Sequence, residues 1–297
     1  IIIKKITLWP SKNNLMRVFL RFKLYSGILF SILTNSPIMG QSEYKIFGHR
    51  GCRGVYPENT IEGFKKAIEF GVDGIELDVV VNKNQELVIS HESYIDTSYC
   101  LTNKINNESL NIYKMNISEI QEIDCGSKFV KEFPNQLKVK EKKPTYKEFK
   151  KELIDYQGDI LFEIKCDYDL VNEYFPDYEK YAKIIFEETR FSRHFDNIYF
   201  MSFDYRILNE LFKIMPNSKY IYLSSNKEFQ KEMKLLNFEP FGVGIDFNII
   251  SQKIIDLVHN KKQVIYGWTI NDEENSKSLT SMGLDGVITD YPNIIKK

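Results

Sequence analysis

The sequence lacks the glycine-rich loops by which many α/β proteins bind nucleotides. No GxGxxG follows the first apolar run, and GxxxxGK[ST] does not occur. The four cysteines form no CxxC pair and show no zinc-site spacing. No basic patch with interleaved aromatic residues is present, and the run KVKEKK (138–143) is predicted to be a solvated loop. These absences argue against nucleotide, zinc and nucleic-acid binding.

Residues 1–40 contain no Asp or Glu, although they carry six basic residues. The whole chain has 40 basic and 41 acidic residues. Without residues 1–40 it has 34 basic and 41 acidic residues, which gives a net charge of −7. The remaining chain, residues 41–297, is therefore acidic. An acidic surface again disfavours nucleic acid as a partner.

The order of charge and apolarity in this segment is that of a secretory signal peptide. A basic stretch beginning at Met16 precedes the apolar run 24–33, which leads to small residues before Gly40. We expect a signal peptide over residues 16–40, with an apolar run too short for a stable membrane anchor, and a misassigned start over residues 1–15. The alternative is a buried first helix. An exported protein, periplasmic or secreted, is the expectation.

Apolar strand-like runs alternate with amphipathic helix-like runs from residue 45 to the end of the chain. The predicted strands are 45–49, 73–81, 86–91, 159–165, 197–202, 219–224, 242–247, 263–269 and 285–289. The predicted helices are 59–70, 145–156, 178–190, 204–214, 226–236, 251–260 and 272–282. This alternation predicts an α/β fold with a parallel sheet. The length fits a TIM (β/α)₈ barrel of roughly 250 residues, with a doubly wound open sheet as the alternative.

Residues 92–143 interrupt the alternation of strands and helices with a long stretch rich in Asn, Ser, Lys and Tyr. We interpret it as an insertion after the second-strand region, near the barrel mouth, with a short helix in NISEIQEI (116–123). It contains Cys100 and Cys125, which are predicted to form a local disulfide bond. Cys52 and Cys166 each follow a candidate site motif, and free buried thiols there are at least as well supported as a bridge.

Strand parity places carboxylates together on one face of two strands. In DGIELDVVV (73–81), Glu76 and Asp78 share the face opposite Ile75, Leu77 and Val79. In ILFEIK (160–165), Glu163 and Lys165 share a face in the same way. Buried carboxylates are costly unless they are paired or hold a cation. Lys165 alone cannot neutralise three of them, so Glu76, Asp78 and Glu163 are predicted to bind one hard divalent cation, Mg²⁺ or Ca²⁺.

The chain has only four histidines. His49 and His91 each end a predicted strand beside the acidic residues, which favours a role in proton transfer. His194 and His259 lie near predicted helix ends, where a cation suits the helix dipole, and are interpreted as structural. Arg50, next to His49, carries a guanidinium suited to a phosphate oxygen.

Seven motifs in order, GHRG, PENT, IELDV, ISHE, FEIK, GWTIN and GVITDYP, resemble the glycerophosphodiester phosphodiesterase family over residues 45–292. The resemblance implies a TIM barrel with a long insertion after His91. It also implies metal-dependent hydrolysis of small glycerophosphodiesters to sn-glycerol 3-phosphate and an alcohol. Glu92 departs from the family pattern, in which Asp commonly follows the second His.

The same resemblance assigns roles to individual residues. It makes His49 and His91 the catalytic pair and Glu76, Asp78 and Glu163 the metal ligands. Contact with substrate or phosphate is implied for Arg50, Lys165 and Trp268. Two other functions stay open: a sphingomyelinase-D-like or phosphoinositide lipase on the same barrel, and a non-catalytic surface protein that keeps the barrel.

Overall fold

The computed structural model describes residues 44–103 and 110–295. The predicted signal peptide and misassigned start fall on residues 1–40, outside the described residues, and stay predictions. Within the described ranges, no helix has the length and apolar character that a membrane crossing requires.

The chain forms a closed barrel of eight parallel strands, with a ninth strand attached to it. The strands are β1 (Lys45–Gly48), β2 (Gly74–Val81), β3 (Leu87–Ile89), β4 (Asp159–Ile164), β5 (Ile198–Ser202), β6 (Lys219–Ser224), β7 (Gly242–Asp246), β8 (Val264–Trp268) and β9 (Gly286–Thr289). Each barrel strand pairs in parallel with its neighbours in chain order, and β1 pairs with both β2 and β9 to close the ring. The predicted TIM barrel is confirmed, and an open doubly wound sheet is excluded by this closure.

Helices follow most of the strands and cover the outside of the barrel. They are α1 (Ile61–Glu69), α2 (Ile117–Gln121), α3 (Tyr146–Glu152), α4 (Tyr178–Thr189), α5 (Tyr205–Ile214), α6 (Phe229–Met233), α7 (Gln252–Asn260) and α8 (Glu273–Ser281). Local sequence explains their ends: the Thr60 side chain accepts a hydrogen bond from Gly63 N at the start of α1, and Gly71 follows its end with φ +82°. α6 is much shorter than the predicted helix 226–236.

Two separate apolar layers confirm the predicted strand parity. Inside the barrel, Phe47, Leu161, Met201 and Ile288 belong to one buried cluster. Ile75, Leu77, Ile160 and Phe162 belong instead to the larger cluster between the strands and the helices. Alternate residues of one strand therefore point to opposite sides of the barrel wall, so Glu76, Asp78 and Glu163 take inward positions.

The third predicted strand, 86–91, is not part of the barrel ring. β3 covers only Leu87–Ile89 and pairs antiparallel with the end of β2. A two-stranded hairpin needs only a short turn, and residues 82–86 provide it, with Gln85 at φ +63°. His91 consequently lies in the loop after β3, not at the end of a parallel strand.

The long connection between β3 and α3 contains the predicted short helix, α2, and the predicted disulfide bond. Cys100 and Cys125 are bonded, while Cys52 and Cys166 are free thiols. Burial raises the pKa of Cys52 to about 12, so this thiol is un-ionised and unreactive at neutral pH. The predicted pairing is confirmed.

Replacing Cys100 and Cys125 together by Ser is expected to lower the free energy of unfolding by about 3 kcal/mol, because the bond closes a loop between residues 25 apart. Denaturant titration of the oxidised variant and wild type measures the difference. Thiol titration of unreduced, denatured wild type should find two free thiols and, after reduction, four. Four before reduction would contradict the bond.

Candidate active site

A pocket opens at the carboxyl ends of the barrel strands, where active sites of TIM barrels are found. Its volume is about 230 Å³. Its lining combines charged groups on one side with apolar groups on the other: His49, Arg50, Arg53, Glu76, His91, Glu163, Lys165, Met201, Phe203, Leu223, Trp268, Thr269 and Ile288. A pocket below the roughly 300–1,000 Å³ of drug-sized sites suits a small polar molecule.

Three carboxylates lie close together, and two of them, Glu76 and Glu163, line this pocket. One oxygen each from Glu76, Asp78 and Glu163 lies within 4.8 Å of the others. The side chains are buried, with relative exposures of 2%, 0% and 7%. Adjacent strands β2 and β4 bring them together because Asp78 and Glu163 are directly paired in the register.

Their environments differ strongly. Burial, followed by repulsion from Asp78 and Glu163, raises the pKa of Glu76 well above its ordinary value. Burial acts against ionisation of Asp78 too, but Lys165, His91 and Arg50 outweigh it and hold the pKa of Asp78 well below its usual range. Burial and the neighbouring Asp78 raise the pKa of Glu163, although Lys165 opposes them. Glu76 is thus the carboxylate with the least compensated charge.

This donor set fits a hard divalent cation. Lys165 Nζ lies 2.9 Å from Asp78 Oδ1 and also contacts Glu163 Oε1. Glu76 Oε1 is buried without a hydrogen-bond partner among the described residues. A buried carboxylate oxygen without a hydrogen-bond partner, next to two further carboxylates, is a suitable ligand atom for a hard divalent cation.

Arg50 is fixed from several sides. Its backbone nitrogen donates to Glu76 Oε2 at 2.7 Å, and its Nη1 donates to Glu58 Oε1 at 3.0 Å. Its Nε lies 3.4 Å from Asp78 Oδ2. The backbone of Arg50 adopts φ +48°, which turns the chain back at the end of β1. The guanidinium still lines the pocket, so it remains placed for an anion there.

The PENT turn has a role beyond capping α1. Thr60 provides the cap, whereas Asn59, at φ +54°, donates from Nδ2 to Asp78 Oδ2 at 2.8 Å. Glu58 binds Arg50 and lies 3.7 Å from Arg53. The turn therefore orients one predicted metal ligand and the guanidinium beside it.

His49 is oriented by an acid from the far end of the chain. Its Nδ1 lies 2.6 Å from Asp290 Oδ1, and its Nε2 lies 4.0 Å from Glu76 Oε2. Burial opposes ionisation of Asp290, but the hydrogen bond with His49 and the charge of Arg53 keep its pKa below the usual range. An ionised Asp290 accepts a hydrogen bond from the protonated Nδ1 of His49, so Nε2 is the free acceptor facing the pocket. Burial lowers the pKa of His49 to about 4.

His91 has a similar arrangement with its sequence neighbour. Its Nδ1 lies 2.6 Å from Glu92 Oε1. Burial alone would raise the pKa of Glu92. The hydrogen bond with His91 and the charge of Lys143 outweigh burial and lower this pKa to about 2. Glu92 is therefore ionised at neutral pH and accepts from Nδ1, so this imidazole also presents Nε2 for proton transfer.

The apolar side of the pocket contains Trp268. Its ring packs edge-on against Phe203, with centroids 5.5 Å apart. Its Nε1 has no hydrogen-bond partner within the described ranges. Trp268 lines the pocket, and its predicted contact with substrate stays a prediction.

The two remaining histidines lie away from the pocket. His194 is buried, and its Nε2 donates to the Leu153 carbonyl at 2.9 Å. Burial lowers its pKa, so the prediction of a cation at a helix end is wrong for His194, which lies beyond the end of α4 at Thr189. His259 is in the last turn of α7, 2.9 Å from Asp285.

Sequence reasoning missed the partners that hold the two pocket histidines. Asp290 lies inside the motif GVITDYP and accepts hydrogen bonds from Arg53 Nε and Asn271 Nδ2, both at 2.8 Å. Its position directly after the last predicted strand, 285–289, could have indicated a site residue. Lys143 was wrongly predicted to be solvated, since it is only 4% exposed.

The sequence and the fold were compared with known proteins. The sequence model described as the glycerophosphoryl diester phosphodiesterase family matches residues 49–294. A glycerophosphodiester phosphodiesterase of Bacillus altitudinis is 27% identical, with 84% of this chain and 95% of the relative covered. One of Caldanaerobacter subterraneus is 28% identical, with 85% and 98% covered.

A solved structure is similar to most of the chain. It is an Oleispira antarctica phosphodiesterase in complex with the product sn-glycerol-3-phosphate. Its TM-score to this chain is 0.69 at 25% identity, with 84% of this chain and 94% of that protein covered.

Proposed function

The chain belongs to the glycerophosphoryl diester phosphodiesterase family, and we propose that it hydrolyses glycerophosphodiesters to sn-glycerol 3-phosphate and an alcohol. Membership confirms the predicted class, a phosphoric diester hydrolase. The observation that carries the substrate proposal is the buried acidic cluster flanked by two histidines at the barrel mouth. Such a site can hold a charged phosphodiester and move protons around it.

Glu76, Asp78 and Glu163 are proposed to hold one divalent cation, Mg²⁺ or Ca²⁺. When bound, it would stabilise negative charge on the phosphoryl oxygens. The unpartnered Glu76 Oε1 and the convergence of three buried carboxylates support the assignment.

Arg50 and Lys165 are proposed to contact the phosphate. Both line the pocket while their other contacts hold them in place. Guanidinium and ammonium groups fixed in a buried site stabilise developing charge without reorganising. The sign of their charge also attracts the substrate anion to a site that carboxylates would otherwise repel.

The two histidines are proposed to divide proton transfer. His49, neutral at pH 7 because its pKa is lowered to about 4, takes the proton of the glycerol 2-hydroxyl at Nε2. That oxygen bonds to phosphorus, the bond from phosphorus to the alcohol oxygen breaks, and His91 gives a proton to the leaving alcohol. Water then opens the cyclic phosphate with the roles reversed, which restores both histidines.

The alternative functions have less support. A non-catalytic barrel would have no need for two histidines, each held by its own carboxylate. For a lipase that acts at membranes, no contact among the described residues gives specific support.

The test is release of glycerol 3-phosphate from glycerophosphocholine, with and without a chelator. We expect turnover with added Mg²⁺ or Ca²⁺ and its loss in the chelator, restored by adding the cation back. Full activity in the chelator would contradict the cation, and no release from any glycerophosphodiester would contradict the substrate class.

We further propose that the protein is exported. The basic and apolar order of residues 16–40 supports this, and so does the Cys100–Cys125 bond, since disulfides persist in oxidising compartments. Mass spectrometry of the native protein from the periplasm or medium should find an N-terminus near Gln41. A cytosolic protein with its N-terminus at Met16 would contradict export.

A further inference from the structure

A buried lysine and a tyrosine continue the hydrogen-bonded chain behind His91. Glu92 uses Oε1 for His91 and accepts from the Tyr99 hydroxyl at Oε2, 2.6 Å away. The same hydroxyl accepts from Lys143 Nζ at 2.9 Å, and this ammonium also lies 5.0 Å from the centre of the Tyr99 ring. Four consecutive groups therefore connect the pocket to the inserted segment.

We propose that Tyr99 and Lys143 are positioning residues for His91, acting through Glu92. The inference rests on the proposed catalytic function of His91. Neither Tyr99 nor Lys143 lines the pocket that contains the acidic cluster, and their hydrogen bonds reach the imidazole through Glu92.

The physical reason is that a carboxylate held at one oxygen can rotate, whereas one held at both oxygens cannot. The Tyr99 hydroxyl occupies Oε2, so the plane of Glu92 is fixed and Oε1 stays directed at His91 Nδ1. Burial raises the pKa of Tyr99, so its hydroxyl keeps the proton that it donates. The lysine charge strengthens this donor and favours the ionised form of Glu92.

The burial of Lys143 is a second reason for this inference. Lysine is almost never fully buried unless it is paired, yet Lys143 is 4% exposed. Burial lowers its pKa, while attraction from Glu92 and Glu58 acts in the opposite direction. A surface loop would not require a buried ammonium at this position. The hydrogen-bonded chain that holds an anionic Glu92 gives this ammonium a role.

The disulfide bond keeps together the two segments that carry Tyr99 and Lys143. Cys100 follows Tyr99 directly and is bonded to Cys125. Cys125 N donates to the Glu141 carbonyl at 2.7 Å, two residues before Lys143. The segments that carry Tyr99 and Lys143 are thus fastened to one another through Cys125, independently of the barrel strands.

The experiment compares Tyr99→Phe, Lys143→Met and the double variant with wild type in the full chain. Tyr99→Phe is expected to lower kcat by about 10-fold, with KM changed less than about twofold, because outer partners of a functional histidine typically contribute about 10–100-fold. The double variant should lose no more than Tyr99→Phe alone, because both changes break one chain. In Tyr99→Phe the Lys143 ammonium loses the hydroxyl that accepts its hydrogen bond. The double variant removes this unpaired ammonium as well.

A second readout does not depend on turnover. Four histidines make ring signals of ¹⁵N-labelled protein assignable. The His91 Nδ1 proton should resonate far downfield in wild type and move upfield in Tyr99→Phe, with Glu92→Gln as the reference for a lost carboxylate. Tyr220→Phe is the matched control, since Tyr220 is buried and its hydroxyl donates to Met215 O away from the pocket.

The outcomes separate the two proposals. A Tyr99→Phe protein with the kcat and the Nδ1 signal of wild type, when Glu92→Gln changes both, overturns the positioning role. Equal losses of kcat in Tyr220→Phe and Tyr99→Phe also overturn it, because the effect would then be general. An inactive wild type contradicts the proposed function, and the Nδ1 signals of the variants then decide the positioning role alone.

Discussion

Replacing His49 or His91 by Ala is expected to lower kcat by about 10²–10⁴-fold and to leave cation affinity nearly unchanged. Each imidazole presents Nε2 to the pocket and binds a carboxylate outside the acidic cluster through Nδ1. Removing a ring therefore removes a proton donor or acceptor but no predicted metal ligand. Steady-state hydrolysis of glycerophosphocholine and calorimetric titration with Mg²⁺ or Ca²⁺ measure the two effects.

His259→Ala is the matched control for these variants. His259 is partly exposed and binds Asp285 at the end of α7, so its loss should leave kcat unchanged. The fold should tolerate His49→Ala, because Arg53 and Asn271 still donate to Asp290. Full activity in either pocket variant would refute the acid–base assignment of that residue.

The sequence sufficed for the barrel and for the acidic cluster because both depend on local periodicity. Alternation along β2 and β4 put Glu76, Asp78 and Glu163 on the inward side, and a parallel sheet brings neighbouring strand ends together. The same reasoning failed for β3. A three-residue strand has too little pattern to distinguish a parallel barrel strand from the return of a hairpin.

Partners supplied from distant parts of the chain could not be predicted. Asp290 reaches His49 across 241 positions, and only closure of the barrel between β1 and β9 brings the two together. Lys143 looked like part of a charged loop because charge in a sequence says nothing about burial. Its position follows from the Cys100–Cys125 bond and the backbone pairing of the insertion, which are tertiary features.

Replacing Glu76, Asp78 or Glu163 by Ala is expected to weaken cation binding by more than about 10-fold, since even changes outside the ligand shell cost about 10–100-fold. Activity should fall with affinity and be partly restored by excess cation. Calorimetry and activity at increasing cation concentration measure both. Glu148→Ala, which removes a half-buried acid on α3, is the control and should bind the cation normally. Unchanged binding in all three cluster variants would refute the site.

Isosteric changes at two of these acids should have opposite effects on the stability of the cation-free protein. Glu76 is opposed by burial and by two carboxylates, whereas Asp78 is supported by Lys165, Arg50 and Asn59. Glu76→Gln is therefore expected to raise the free energy of unfolding and Asp78→Asn to lower it. Denaturant titration in a chelator measures both, and a change of the same sign in the two variants would contradict this electrostatic account.

The pH dependence of these two effects follows from the direction of each pKa shift. The pKa of Glu76 is raised above its ordinary 4.5, so the folded protein keeps a proton that the unfolded chain loses, and cation-free wild type loses stability as the pH rises above that value. The gain from Glu76→Gln should grow accordingly up to the raised pKa. The pKa of Asp78 is lowered below 3.8, so its contribution is complete above that value and the loss in Asp78→Asn should stay constant. Because a cation requires ionised Glu76, cation affinity of wild type should rise with pH over the range in which Glu76→Gln gains stability, and a pH-independent affinity there would exclude Glu76 as a ligand.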